Sequence, residues 1–307
     1  MSGSDGTAGL QPLRCDLFCT VIDNYGDLGV CWRLARQLAQ EHRVAVTLWV
    51  DDLVSFAHLT PALDPARHEQ MLGDIRVRRW QPGDNADLAE HQPADIIIEG
   101  FGCRLPDSYL AAMRASMTAR RTPPCWLNLE YLSAESWVEG CHAMPSLHPR
   151  TGLTQHFFFP GFTPGTGGLI REAGLISRLD ALATNTSAVD AFWQRIGAPE
   201  AVTSPRRLSL FSYENPAIAS LLDALACDAT PTLLLVFTGR ALAGVRAWLG
   251  QPLSTGGTAQ CGALRIRVLP LLDHADYDHL LALCDLNLVR GEDSFVRAQW
   301  AGAPMLW

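Results

Sequence analysis

Lysine is missing from all 307 residues, so the 24 basic side chains are all arginines. That absence removes a Walker A lysine, a pyridoxal Schiff base and a lysine general base. Any anionic ligand must be held by arginine, hydroxyls or backbone N–H groups. Nine cysteines are present, yet no two stand as C-x-x-C. With no basic, apolar leader at the start of the chain, they read as reduced thiols, most of them small buried hydrophobes, in a cytoplasmic protein. The nine histidines lack H-E-x-x-H or any other ligand spacing, so no metal is expected. No apolar run approaches the ~18 residues of a membrane span, and no membrane partner is expected. No repeat of 20–50 residues is found.

What is present reads as a globular enzyme-sized chain. The length predicts about two domains at ~150 residues each. A 48% hydrophobic share is ample for two cores. The net charge of −8 carries no basic footprint for nucleic acid, and no direct nucleic-acid partner is expected.

Strand-like and helix-like segments alternate. Strands are expected at 14–22, 44–50, 75–80, 95–101 and 125–129, with helices over 29–40 and 106–116. A Pro/Gly-rich stretch at 143–175 breaks the pattern, and one helix over 188–196 follows. Alternation then resumes, with strands at 207–213, 232–238, 264–269 and 285–289 and helices at 216–227, 241–249, 275–284 and 293–301. This predicts an α/β chain with parallel sheets covered on both faces. The residues divide as a first doubly wound domain over 13–185 and a second over 186–307. The last residues, Pro304-Met305-Leu306-Trp307, read as a strand without its covering helix, so the native protein is expected to continue.

In such sheets ligands bind beyond the carboxyl ends of the strands. Two loops there carry chemistry. Asp23-Asn24-Tyr25-Gly26-Asp27 joins the first strand to the first helix. Its two acids can face a cleft, or Asp27 can cap the helix while Asp23 forms the turn. Arg290-Gly291-Glu292-Asp293-Ser294 opens a helix after a buried strand. There Arg290 and Ser294 can share a diphosphate, with Glu292 or Asp293 for sugar hydroxyls. Tyr213 and Ser212 close the first strand of the second domain. Gly165-Thr166-Gly167-Gly168 is a weak phosphate-loop candidate. Asp276-Tyr277-Asp278 has the spacing of a metal-holding D-x-D, but reads as helix acids.

The DNYGD loop, the block Arg290-Gly291-Glu292-Asp293-Ser294-Phe295-Val296-Arg297-Ala298-Gln299 and the segment Asn128-Leu129-Glu130-Tyr131-Leu132-Ser133 together resemble one family. So do Phe158-Phe159-Pro160-Gly161-Phe162 and Gly167-Gly168-Leu169-Ile170-Arg171-Glu172. The likeness, over residues 14–307, is to the bacterial arginine rhamnosyltransferases that modify elongation factor P.

The resemblance implies GT-B architecture: two Rossmann-like domains facing across a cleft, the first binding the protein acceptor and the second the nucleotide sugar. It implies inverting transfer of rhamnose from dTDP-β-L-rhamnose to an arginine of elongation factor P, with no cofactor and no metal. Asp27 and Asp23 carry over as catalytic. Phe211, Tyr213, Arg290, Glu292, Asp293 and Ser294 carry over as donor contacts. Two positions depart from the family pattern: Leu271 stands where an aromatic ring is expected against thymine, and His274 where a glutamine is expected. The alternatives are another GT-B nucleotide-sugar enzyme, an epimerase or small-molecule transferase, and a non-catalytic fragment that binds dTDP or elongation factor P.

Overall fold

The computed structural model describes residues 12–22, 25–81, 88, 91–120 and 123–307. It separates into two compact units, Met1–Ala57 with Pro61–Ile170 and Arg171–Trp307 with His58–Thr60. The break at 170/171 falls ahead of the 185/186 boundary read from the sequence.

The first unit is an eight-stranded sheet in the order β3-β4-β2-β1-β5-β6-β8-β7. Its strands are β1 (Arg14–Cys19), β2 (Ala45–Val50), β3 (Glu69–Leu72), β4 (Ile75–Arg79), β5 (Ile96–Gly100), β6 (Cys125–Leu129), β7 (Pro145–Leu147) and β8 (Thr154–Phe158). The six inner strands run parallel, and β3 and β7 are antiparallel edges. Helix α1 (Gly26–His42) links β1 to β2, α2 (Leu53–Leu59) follows β2, α3 (Asp107–Arg120) links β5 to β6 and the single turn α4 (Val138–Cys141) follows β6. An aromatic core forms on the sheet: Trp49 stacks on Phe18 at 5.4 Å, and Trp80 and Tyr109 meet Phe18 edge-on at 5.5 and 4.9 Å.

Two sequence readings are corrected here. The 143–175 stretch is not simply a break, because β7 and β8 lie in it and extend the first sheet. Pro and Gly flank a Gln-His-Phe-Phe run whose backbone pairs with β6. The first strand ends at Cys19 and α1 starts at Gly26, earlier than Gly29, which brings Asp27 into the first helical turn.

The second unit is a six-stranded sheet in the order β11-β12-β10-β9-β13-β14. The strands are β9 (Arg206–Phe211), β10 (Thr232–Phe237), β11 (Thr258–Cys261), β12 (Leu264–Leu269), β13 (Leu286–Val289) and β14 (Met305–Leu306). All neighbours run parallel except the edge strand β11. The helices are α5 (Leu175–Ala183), α6 (Thr186–Arg195), α7 (Ala217–Cys227), α8 (Arg240–Leu249), α9 (His274–Leu283) and α10 (Glu292–Ala301), with a 3-10 turn at Pro199–Val202. Helix α5 was not foreseen. The unbroken apolar run of β10 follows from burial on both faces. Leu233, Leu235 and Phe237 pack with Phe192, Trp193 and Leu280, while Leu234 and Val236 pack with Leu222, Leu242 and Val245.

Candidate functional site

At the carboxyl end of the first sheet, the loop after β1 is pinned by carboxylates. The Ile22 N–H donates to Asp27 Oδ2 at 3.2 Å, and the Val21 N–H donates to Asp51 Oδ1 at 2.9 Å. Asp27 is 2% exposed. It is not the helix cap: Tyr25 holds the N-cap position of α1, with no side-chain cap bond. Its carboxylate instead turns back over the strand exit to accept the Ile22 N–H. Asp23, the other acid read from this loop, lies outside the described residues.

Further acids lie towards the carboxyl ends of the neighbouring strands. Asp52 caps α2 by accepting the Val54 and Ser55 N–H groups, both at 3.0 Å. A hydrogen bond with Cys31 and burial push the Cys19 thiol above its ordinary range, so it is held as a neutral thiol. On β5, burial raises Glu99 to about 7, although Trp126 Nε1 donates to its Oε1 at 3.2 Å. Asn128 Nδ2 donates to Glu130 Oε1 at 2.7 Å, and desolvation raises the Glu130 carboxyl. The exposed Tyr131 ring stacks on Phe101 at 4.5 Å. Gly100 sits so close to α1 that a Cβ there would lie 2.8 Å from Cys31 Sγ and 2.9 Å from the Phe18 carbonyl oxygen.

In the second unit the donor residues read from the sequence lie at the carboxyl ends of β9, β12 and β13. Phe211 ends β9, and its ring meets Phe237 and Tyr277 edge-on at 5.4 and 5.7 Å. It is half-buried and belongs to the core. Tyr213 faces cations instead. The Arg290 guanidinium carbon lies 5.8 Å from its ring centroid and that of Arg240 5.3 Å. Arg290 also lies 5.4 Å from the Trp307 ring.

The N-cap of α10 is Gly291 at φ 97°, a backbone conformation that excludes most side chains, and no side chain caps the helix. Glu292 and Asp293 occupy the first turn. Ser294 is 4% exposed and donates its hydroxyl to the Arg290 carbonyl at 2.7 Å. Its proton therefore shapes the loop rather than reaching outward. Leu271 packs partly buried against the apolar cluster. His274 opens α9 and is 5% exposed. Arg240 has no counterpart in the sequence reading. Its signal, a Gly-Arg pair directly after a buried strand, is weak without the topology that sets β10 beside β9.

Two other motifs resolve as structure. Asp276 pairs with Arg195 at 2.5 Å, while Asp278 is held by Arg297. The acids of the D-x-D spacing are thus committed to different arginines. Gly167 of the glycine-rich loop lies against the Phe158 ring, whose atoms would come within 2.4 Å of an added Cβ. Gly167 is thus a close-packing glycine, while Gly168 has open space and a left-handed backbone at φ 75°. Among the described residues no cluster of three His, Cys, Asp or Glu side chains is arranged to hold a metal ion.

Residues 15–307 match the family described as "Elongation-Factor P (EF-P) rhamnosyltransferase EarP". The chain is 52% identical over 293 residues to a protein-arginine rhamnosyltransferase of Pseudomonas putida, covering 95% of this chain and 75% of that protein. It is 38% identical over 302 residues to one of Neisseria meningitidis, covering 96% and 74%. A solved structure, described as the basis for EarP-mediated arginine glycosylation of translation elongation factor EF-P, superposes with a TM-score of 0.64. It is 37% identical, and the match covers 96% of this chain and 73% of the other.

Proposed function

The chain belongs to the EF-P rhamnosyltransferase family, and from that premise we propose that it transfers rhamnose from dTDP-β-L-rhamnose to an arginine side chain of EF-P, with inversion at the anomeric carbon. The observation that carries the reading is the family match over residues 15–307. The first unit takes the protein acceptor and the second the nucleotide sugar.

The chemistry has two demands. A guanidinium has a pKa above ~12 and is a poor nucleophile while protonated. No ordinary carboxylate removes that proton beforehand. A carboxylate can hold the guanidinium and accept its proton as the new N–C bond forms and the anomeric C–O bond breaks. Asp27 is assigned that role. The Ile22 N–H bond fixes the orientation of its carboxylate. Asp23 is assigned to clamping the remaining guanidinium N–H groups.

The second demand is the charge that grows on the departing dTDP. Arg290, Tyr213 and the uncapped N–H groups of α10 supply donors there. Glu292 and Asp293 are assigned to sugar hydroxyls, Phe211 and Leu271 to the apolar floor beneath the base, and His274 to its polar edge. Ser294 supports the site by holding the loop in shape.

The test is intact-mass analysis of EF-P after incubation with dTDP-rhamnose and this protein, with the modified residue mapped by fragmentation. One added deoxyhexose on one arginine is expected. Tight dTDP binding with EF-P left unmodified would mark a binding module instead.

A further inference from the structure

We infer that Arg240 is a second diphosphate-binding cation, placed on the same tyrosine ring as Arg290 to receive the two phosphates of a nucleoside diphosphate. This rests on the donor-site reading above and extends it to a residue on a different strand.

The topology brings the two arginines together. Strands β10, β9 and β13 are adjacent and parallel, so the segments leaving their carboxyl ends lie side by side, at a strand spacing of about 4.8 Å. Arg240 leaves β10, Tyr213 leaves β9 and Arg290 leaves β13. The ring of Tyr213 stands between strands that each deliver one guanidinium, at 5.3 and 5.8 Å from its centroid. Both lie within the range at which an aromatic face attracts a cation.

Two like charges gathered on one ring repel each other unless an anion joins them. In this acidic chain arginines commonly meet carboxylates: Arg150 meets Asp107, Arg206 meets Asp228, Arg267 meets Glu200 and Arg297 meets Asp278. Among the described residues neither Arg240 nor Arg290 makes an ion pair, and both are exposed. The neighbouring backbone is open as well. Gly239, the N-cap of α8, has φ 150° and nothing within 4 Å of where a Cβ would be, and no side chain caps that helix. Two uncapped helix starts and two unpaired guanidinium groups thus lie at adjoining strand ends. A planar guanidinium presents paired N–H donors that match phosphate oxygens. In a chain without lysine, one arginine per phosphate is the available way to neutralise a diphosphate. Tyr213 is the shared platform that holds both before the ligand arrives.

The experiment measures binding of thymidine, dTDP, UDP and inorganic pyrophosphate by calorimetry to the parent protein and to Arg240→Ala and Arg240→Gln. Circular dichroism checks the fold of each variant. Loss of a charged hydrogen bond predicts about tenfold or greater weakening for dTDP and pyrophosphate, with thymidine unchanged. Turnover should fall in parallel, because the same contact stabilises the leaving group. Unchanged dTDP affinity in folded variants overturns the proposal, as does an equal loss on thymidine. Rhamnose transfer to EF-P is read separately. If EF-P is never modified but pyrophosphate binding still depends on Arg240, the anion site stands and the transferase reading falls. If Arg240→Ala binds dTDP and modifies EF-P like the parent, the reading stands and Arg240 is only a surface side chain.

Discussion

Arg297 grips Asp278 with two parallel hydrogen bonds, Nε to Oδ1 at 2.8 Å and Nη2 to Oδ2 at 2.6 Å. Its remaining nitrogen, Nη1, reaches Glu172 at 2.7 Å. The Arg297 side chain is 1% exposed and that of Asp278 9%. This trio ties α10 to α9 and to the start of the second unit. Removing one partner of a buried ion pair leaves an uncompensated charge and costs about 3–5 kcal/mol. Arg297→Met should therefore lower the denaturation midpoint sharply. A normal midpoint combined with lost dTDP binding would move Arg297 from framework to ligand contact.

Asp27→Asn tests the assigned base. Asparagine keeps an oxygen to accept the Ile22 N–H, so the loop and its stability should survive. Transfer to EF-P should slow by about 10²–10⁴-fold, the usual worth of a positioned general base, with dTDP affinity intact. Single-turnover mass spectrometry gives the rate. Transfer at the parent rate would reduce Asp27 to a loop anchor.

Glu99 makes stability depend on pH. Burial raises its folded pKa to about 7, against the ordinary carboxylate value of 4.5. Below pH ~4.5 both states are protonated and the group is neutral to stability. Between the two values the unfolded chain ionises while the folded one does not, so stability declines as pH rises through this window. It levels off above about 7. The loss amounts to roughly 3 kcal/mol. Glu99→Gln stays neutral throughout and can still accept the Trp126 N–H. Its midpoint relative to the parent should rise from pH 5 to pH 8, as measured by urea titration. A difference that stays flat over this range would show that Glu99 ionises normally.

Leu271→Phe probes the base pocket. If position 271 lies beneath the thymine, an aromatic ring there adds stacking worth about 1 kcal/mol, and dTDP should bind several-fold more tightly. The gain should be absent for pyrophosphate. Equal changes on both ligands would place residue 271 away from the base.

The α/β alternation was legible because strands such as Thr232–Phe237 are buried on both faces and must be apolar throughout. The RGEDS loop was legible because glycine follows a buried strand and opens a helix, as the φ of Gly291 requires. What escaped depended on pairing rather than pattern. Strand β8 is recognisable only from its hydrogen bonds to β6, since Pro and Gly surround it. From sequence Asp27 read slightly better as a cap than as a free acid, and Tyr25 takes the N-cap instead, because the choice depends on where α1 begins. Arg240 needed the strand order, which places residues 213, 240 and 290 together although the sequence keeps them apart.

Gly100 gives the proposed acceptor chemistry an indirect handle. A methyl group there would strike Cys31 in α1 and the Phe18 carbonyl, which is backbone and cannot swing aside. Strand β1 or the helix packed on it would have to shift, and that helix carries the Asp27 carboxylate. The packing leaves room for only a hydrogen atom at Gly100, so a substitution at a residue with no functional group of its own can detune the proposed reaction by shifting a whole element. Screens for altered acceptor preference that randomise only the loops would never sample this adjustment.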